Sequence, residues 1–239
     1  MKTRSASVVC VVSVLAVGLG ACGGGGLDPG DEPGTGTSTL LINADFRATP
    51  LVPNAARAGD FNTAFTVDIS KAGQAVTVDS VVVTSDAGAV TLQPSDGPLG
   101  RRWRGAQSGY FEIYQLTIEA GADNVRGVQV DGPALHHFTA PAPGATVDAT
   151  MPLVATWARD EAAVIATLET RELNAVAIGD TGTYTIPVGG LKSKSTETES
   201  EQLRVDRAQR ITPAGAVVGS DVRVMVRNEI DLVVAPTGR

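Results

Sequence analysis

Short apolar runs with a period of two residues recur along most of this chain and constrain its fold more than any other feature. Apolar and polar residues alternate over Phe65–Ile69, Tyr114–Ile118 and Tyr184–Val188. Successive side chains of a strand point to opposite faces of a sheet, so this alternation predicts strands with one buried face. Many of the apolar residues are β-branched, which favours the same conclusion. The sequence therefore predicts an all-β protein.

Clusters of turn-forming residues separate these runs, for example at Ser85–Gly88, Pro94–Pro98 and Ala120–Asn124. Short strands divided by such turns are typical of antiparallel sandwiches and barrels. Three prolines fall within residues 132–144, and proline is excluded from central strands. We therefore expect one or two β-sandwich domains, with residues 40–137 in the first and residues 138–239 in the second.

In two segments the secondary structure does not follow from the alternation of apolar residues alone. Between Asp160 and Leu173 the Ala, Glu and Leu residues favour a helix, whereas Val164–Leu168 has the composition of a strand. The all-β context favours the strand. Nearer the C-terminal end, Asn228–Glu229 separates two apolar runs and predicts the hairpin between the last two strands.

The second half resembles an immunoglobulin-like or fibronectin-III-like domain over about residues 138–236. Pro143 is followed by Val147, and Leu153 is followed by Trp157. Domains of this kind begin with an entry strand containing proline and glycine, and they bury a tryptophan in the core. The resemblance implies an antiparallel sandwich with Trp157 inside. The cysteine pair of antibody domains is absent, and residues 40–137 share only the strand pattern.

The N-terminal residues 1–21 have the character of a signal peptide. A basic start precedes an apolar run from Val8 to Leu19. Twelve helical residues span about 18 Å, which is well short of the ~30 Å core of a bilayer. The run therefore predicts a signal peptide and not a transmembrane helix.

The end of this run, Leu19–Cys22, resembles the lipobox of bacterial lipoproteins: an apolar residue, two small residues and a cysteine. The resemblance covers residues 1–22 and implies cleavage after Ala21 and acylation of Cys22 with chains such as palmitate. In this family an aspartate after the cysteine signals retention in the inner membrane, and Gly23 stands there instead. The resemblance thus implies a cell-envelope protein whose membrane partner is reached through the lipid anchor, in the outer membrane of a Gram-negative cell.

Residues 22–39 have the composition of a tether. Glycine, proline, aspartate and threonine dominate, and Leu27 is the one apolar residue between Gly23 and Thr39. Such a segment buries too little apolar surface to offset the entropy of ordering it. We therefore expect a disordered, lipidated tether before the first sandwich.

Charge and cysteine content argue against several classes of protein. The chain has 26 acidic and 19 basic residues. Loss of Lys2 and Arg4 with the signal peptide leaves 17 basic residues and a net charge of −9. Nucleic-acid affinity depends on neutralising phosphates, so we expect no nucleic-acid partner. Cys10 leaves with the signal and Cys22 is acylated, so no thiol remains for a disulfide, a zinc site or a nucleophile.

The sequence contains no nucleophile elbow, zincin, Walker or EF-hand motif. Its two histidines, His136 and His137, are neighbours and point to opposite sides of an extended segment. We expect both to be exposed between the domains, with a surface metal site as the alternative. No cofactor, no metal and no enzyme activity are predicted, and an unrecognised hydrolase using paired carboxylates is the alternative.

The one basic cluster comprises Arg101, Arg102, Trp103 and Arg104, and Tyr110 follows closely. Arginine and aromatic side chains are the usual anchors of interfaces. We therefore predict that these five residues contact a ligand, either an envelope protein or a glycan. The alternative is that Trp103 belongs to the core while the arginines line a solvated strand.

Together these features favour a non-catalytic binding or structural module at the cell envelope. The alternative function is an accessory subunit of an envelope assembly, held by strand pairing along the edge of a sandwich.

Overall fold

The computed structural model of the protein describes residues 30–97 and 100–238. Over these ranges the chain forms eighteen β-strands and one 3-10 turn at Ala58–Asp60. None of the helical segments in this part is long and apolar enough to cross a bilayer. The predicted signal peptide (residues 1–21), the cleavage site after Ala21 and the lipidation site Cys22 lie outside the described residues.

The strands of the first half are β1 (Glu32–Gly36), β2 (Leu40–Pro50), β3 (Phe61–Lys71), β4 (Gln74–Ala75), β5 (Ser80–Ser85), β6 (Gly88–Thr91), β7 (Gln93–Gly97), β8 (Gly100–Ser108), β9 (Ile113–Ala120) and β10 (Asp123–Asp131). Those of the second half are β11 (His137–Ala140), β12 (Thr146–Val147), β13 (Leu153–Ala158), β14 (Ile165–Glu169), β15 (Val176–Ala177), β16 (Thr183–Ile186), β17 (Glu199–Ile211) and β18 (Asp221–Val234). The all-β prediction is confirmed, and β14 is the strand favoured in the ambiguous segment. The hairpin predicted at Asn228–Glu229 is wrong, because β18 runs through both residues.

The first half of the chain forms a sandwich in which the sheet β1-β10-β9-β5-β6 faces the strands β18-β2-β3-β8-β7. Alternation on β2 and β3 turns Phe46 and Phe65 inward, where they meet Tyr114 of β9. The three ring centroids lie 5.2–5.8 Å apart with edge-to-face geometry, which aromatic quadrupoles favour. Burying each ring stabilises the fold by roughly 1.5–3 kcal/mol. This aromatic cluster is the centre of the first core.

The second half forms a smaller sandwich, in which β11-β13-β16 face β15-β14-β17-β18. This division of strands is that of immunoglobulin-like domains. Trp157 on β13 is 3 % exposed and lies in the second core, as the resemblance implied. Its indole Nε1 donates a hydrogen bond to Asp180 Oδ1 at 3.2 Å. A buried tryptophan N–H needs such an acceptor, so the position of Asp180 matches that of the ring.

The long hairpin β17–β18 belongs to both sandwiches. The middle of β17, Arg204–Ala208, pairs with β14, and the part of β18 next to the hairpin turn, Asp221–Val226, pairs in parallel with β2. One sheet therefore continues through the whole molecule. The first core includes Val222 and Val224 of β18, so both halves of the chain contribute to it. The division between residues 137 and 138 stays a prediction.

A buried ion pair holds the place where the two sandwiches meet. Arg207 of β17 is fully buried, and its Nε lies 2.8 Å from Asp180 Oδ2. Its Nη1 donates to the carbonyl of Ala134 at 2.6 Å, and its Nη2 donates to the carbonyl of Glu161. Asp180 also accepts the N–H of Ala163 at 2.7 Å. The guanidinium thus connects the segment between the sandwiches to two loops of the second one.

A second set of buried polar contacts lies beside this pair. Asn228 Nδ2 donates to the carbonyls of Ala55 and His136, at 2.6 Å each. His136 is fully buried, with Nε2 3.1 Å from the carbonyl of Val205. Because a carbonyl only accepts, Nε2 carries the proton, and Nδ1 has no partner among the described residues. Burial, together with the nearby charge of Arg207, lowers the pKa of His136 to about 4. We name this set with Arg207 and Asp180 the junction.

The structure differs from the predicted disordered tether at Glu32–Gly36, which form β1 and pair with β10. On its other side β1 contacts the loop between β17 and β18, where Ala214 N–H donates to Pro33 C=O at 2.8 Å. A Cβ on Gly215 would lie 2.1 Å from the carbonyl carbon of Thr35, so only glycine allows this approach. Backbone hydrogen bonds on both sides order a segment that has no apolar face.

Candidate binding groove

An open groove of about 300 Å³ lies on the first sandwich, beside the turn between β3 and β4. Strands β2, β3 and β8 form its floor. Its polar lining comprises Asn43, Asp68, Ser70, Gln74, Arg101 and Arg102. Two of the predicted contact residues therefore meet polar side chains of other strands.

Strand alternation explains how this groove receives its polar groups. On β3, Val67 and Ile69 are buried, so Asp68 points outward. On β8, Trp103 is buried and Arg102 points outward opposite Asp68. Arg102 Nε lies 2.8 Å from Asp68 Oδ1, at side-chain exposures of 32 % and 40 %. The contact is an ion pair without hydrogen-bond alignment, since Arg102 Nε has no aligned acceptor.

The other arginines of the cluster lie at the rim or outside the groove. Arg101 Nε donates to Asp96 Oδ1 at 2.9 Å. This hydrogen bond and the charge of Arg101 lower the pKa of Asp96. Arg104 is exposed on β8, opposite Gln93 of β7. It forms no ion pair with any residue that the structure describes, so it is the free cation of the cluster.

The two aromatic residues of the predicted contact are in the first core. Trp103 is 4 % exposed and Tyr110 is 2 % exposed. The Tyr110 hydroxyl donates to the carbonyl of Pro133 at 2.6 Å, and burial raises its pKa well above the ordinary value. Trp103 borders the groove but offers no open ring face. The structure therefore brings Arg101 and Arg102 to the groove and leaves no ring for stacking on a sugar, as the alternative for Trp103 expected.

The groove is lined by hydrogen-bond donors and acceptors, and its charged residues include both arginine and aspartate. Arginine donates, aspartate accepts, and the amides and the hydroxyl do both. This mixture fits a neutral ligand rich in hydroxyl groups better than a strongly charged one. Sequence analysis did not identify Asn43, Asp68, Ser70 and Gln74 as site residues. Asp68 occupies an outward position of the predicted strand Phe65–Ile69, so a comparison of outward residues on neighbouring strands could have found it.

The histidines do not lie together on the surface as expected. His136 is fully buried at the junction, whereas His137 is exposed. The expectation for His136 is wrong, because its imidazole fills the space between the sandwiches. Within residues 30–97 and 100–238, no group of three or more His, Cys, Asp or Glu side chains is arranged to hold a metal ion.

Comparison with known proteins shows similarity of structure but not of sequence. Neither the models of protein families nor the sequences of curated proteins match this chain. Among solved structures, the chain is similar to the fibronectin(III)-like modules of Clostridium thermocellum CbhA, with a TM-score of 0.25 and 9% identity. The similarity covers 78% of this chain and 92% of the other.

Proposed function

We propose that this chain is a cell-envelope lipoprotein, held in the outer membrane through acyl chains on Cys22, that acts as a non-catalytic binding module. The lipobox-like sequence Leu19–Cys22 supports the anchor. Eight Cα-to-Cα steps separate Cys22 from Gly30, the first described residue. They span at most about 28 Å when fully extended, so the anchor would keep the sandwiches close to the membrane surface.

The anchor is tested by acyl labelling of two cysteine variants. Cys22→Ser should abolish palmitate incorporation and leave an uncleaved precursor, because the acylated thiol is lost. Cys10→Ser is the matched control and should be labelled and processed like the parent, since Cys10 lies inside the apolar run. A labelled Cys22→Ser protein, or one that is processed and soluble, would contradict the proposal.

For the binding activity, we propose a glycan as the ligand of the groove beside the β3–β4 turn. The observation that carries this is the convergence of Arg102, Asp68, Asn43 and Gln74 from four separate strands on one open cavity. Saccharide hydroxyls donate and accept hydrogen bonds at the same atom, which matches a lining of mixed donors and acceptors. The apolar side chains that border the groove would contact the faces of the sugar rings.

Binding of soluble peptidoglycan fragments and of polysaccharide released from the outer membrane tests this assignment. Arg102→Gln should weaken binding at least about tenfold, the cost of losing a charge-assisted hydrogen bond. Arg126→Gln is the matched control, since Arg126 forms a similar ion pair with Glu119 on another sheet. Equal binding by both variants, or no binding by the parent protein, would reject the groove as a glycan site.

A further inference from the structure

The three-stranded sheet of the second sandwich has an uncharged outer face. Residues 149–158 and 181–191, which include β13 and β16, contain no Asp, Glu, Lys or Arg. The opposite sheet of the same sandwich carries cross-strand ion pairs, such as Arg227 with Asp206 at 2.7 Å. The chain as a whole has a net charge of −7. Two copies therefore repel one another least where their uncharged faces meet.

Large apolar side chains are exposed on this face and in the segments next to its strands at one end of the sheet. Met151 is 63 % exposed, Val154 is 52 % exposed and Val188 is 59 % exposed. Pro152 and Pro187 lie among them and are exposed as well. Apolar residues grouped on an uncharged surface mark a site of contact with another molecule more often than scattered ones do.

Strand β16 is an edge whose outer hydrogen-bonding groups are open. Its one neighbour among the described strands is β13. Trp157 N–H donates to Gly182 C=O at 2.9 Å, so the alternation of an antiparallel ladder directs the N–H and C=O of Thr183 and Thr185 away from β13. Thr183 C=O accepts the hydroxyl of Thr181 at 3.1 Å. The remaining open groups are Thr183 N–H and both backbone groups of Thr185.

We propose that β16 pairs with β16 of a second copy of this chain, antiparallel across a two-fold axis at Thr185. In this register each Thr185 donates its N–H to the other Thr185 C=O. Thr183 N–H donates to Pro187 C=O of the other copy, which accepts Gly190 N–H at 2.9 Å and keeps a second lone pair. Pro187 has no N–H to give, and Thr183 C=O already has the Thr181 hydroxyl. The register therefore leaves no backbone donor unpaired.

The pairing joins two three-stranded sheets into one of six strands. Val154 lies opposite Thr185 on β13, so its exposed side chain lies one strand away from the axis. A two-fold axis makes each contact occur twice, which is the commonest symmetry of protein dimers. The inference depends neither on the anchor at Cys22 nor on the groove, and it holds or fails separately from them.

Sedimentation of the full mature protein tests the dimer, in detergent with micelles in large excess over protein. The interface is small, so measurements extend to about 100 µM protein, where weak complexes form. We expect a concentration-dependent shift from the mass of one chain to that of two. A protein that keeps the mass of one chain throughout would overturn the proposal.

Three variants test the position of the interface. Thr185→Lys should weaken dimerisation about fivefold, because it places two like charges directly opposite each other at the axis. Val164→Lys is the matched control just before β14 of the other sheet, where Val164 is 66 % exposed, and should dimerise like the parent. Thr185→Pro removes the central donor without removing a bond to β13, so it should fold and remain monomeric. Equal loss in Thr185→Lys and Val164→Lys, or a dimer of normal strength in Thr185→Pro, would overturn the assignment; circular dichroism of each variant checks its fold.

Discussion

The first core and the junction are buried to the same degree but are chemically opposite. At Phe46, Phe65 and Tyr114 burial removes apolar surface from water and needs no particular partner. At Arg207 and Asp180 burial removes charges from water, which costs several kcal/mol unless every partner is in place. Substitutions in the core should therefore lower the free energy of unfolding gradually, as more atoms are removed. The contribution of the junction to that free energy should require all its members together and should change with pH.

Arg207→Met should produce the largest effect. It leaves the buried Asp180 carboxylate without its hydrogen-bonded cation, with only the Arg159 guanidinium at 3.8 Å, and leaves the carbonyls of Ala134 and Glu161 without a donor. Removing one member of a buried pair costs about 3–5 kcal/mol. Urea unfolding of the parent and the variant measures this difference.

Two further variants make that prediction specific to the junction. The double variant Arg207→Met with Asp180→Leu should recover only part of the loss, because it removes the unpaired buried carboxylate but leaves the N–H groups of Trp157 and Ala163 without an acceptor. In the first core, Phe46→Leu should cost less, roughly 1–2 kcal/mol, since most of the buried volume is kept. If Arg207→Met cost no more than Phe46→Leu, the contrast between the two regions would be lost.

The junction should also make stability depend on pH through His136. Its pKa is about 4 in the folded protein against 6.5 for a free side chain. Between these values the unfolded chain binds a proton that the folded chain does not, so stability falls as pH decreases from 6.5 to 4. The full loss is about 3 kcal/mol. Below pH 4 both states carry the proton and this contribution changes no further.

Unfolding measured at several pH values in two histidine variants isolates the effect. His136→Leu should remove this part of the pH dependence, although it also loses the bond to Val205 C=O. His137→Gln is the control and should keep the pH dependence of the parent, because His137 is exposed. A parent and a His136→Leu variant with the same slope between pH 6.5 and 4 would contradict the assignment.

A substitution at Glu201 tests whether a buried polar group outside the junction is as important for stability as those within it. Its fully buried carboxylate accepts the N–H groups of Arg171, Lys192 and Gln202 at 2.8–2.9 Å. Glu201→Gln replaces one acceptor oxygen with a donor that faces other donors, and should cost about 1–3 kcal/mol in thermal or urea unfolding. Glu199→Gln, which breaks only the contact with Lys194, should cost less. Equal stability of the parent and Glu201→Gln would show that these loops do not need the carboxylate.

Much of the fold follows from the alternation of apolar residues, and β17 shows where that pattern ends. Its inward positions begin with Glu201, continue through Leu203 and Val205, and then carry Arg207 and Gln209. The polar residues at these inward positions lie where the strand contacts loops, at Glu201, and the junction, at Arg207. Their partners come from distant segments, so sequence analysis identified neither these buried polar groups nor their contacts.

Other features had no signal in one strand alone. The segment that forms β1 has no apolar alternation, and its pairing depends on backbone groups of β10 and of the loop around Gly215. Asn228 is a residue type that favours turns, but here it lies within β18, where its buried side chain donates a hydrogen bond. Arg101 and Arg102 of the basic cluster line the groove, and their contact with a ligand stays a prediction. The inward direction of Trp103 depended on the register of β8 against β3, which sequence alone did not determine.

The smallest effect is expected at the exposed ion pairs of the large sheet, where charges remain in contact with water. Arg223 lies 2.9 Å from Asp45, and both side chains are about one third exposed. Arg223→Gln should cost less than about 1 kcal/mol, because exposed pairs contribute little and salt screens them. Unfolding at low and high salt measures this, and the difference between parent and variant should shrink as salt increases. A loss as large as that of Arg207→Met, and insensitive to salt, would mean that burial is not what separates these two arginine–aspartate pairs.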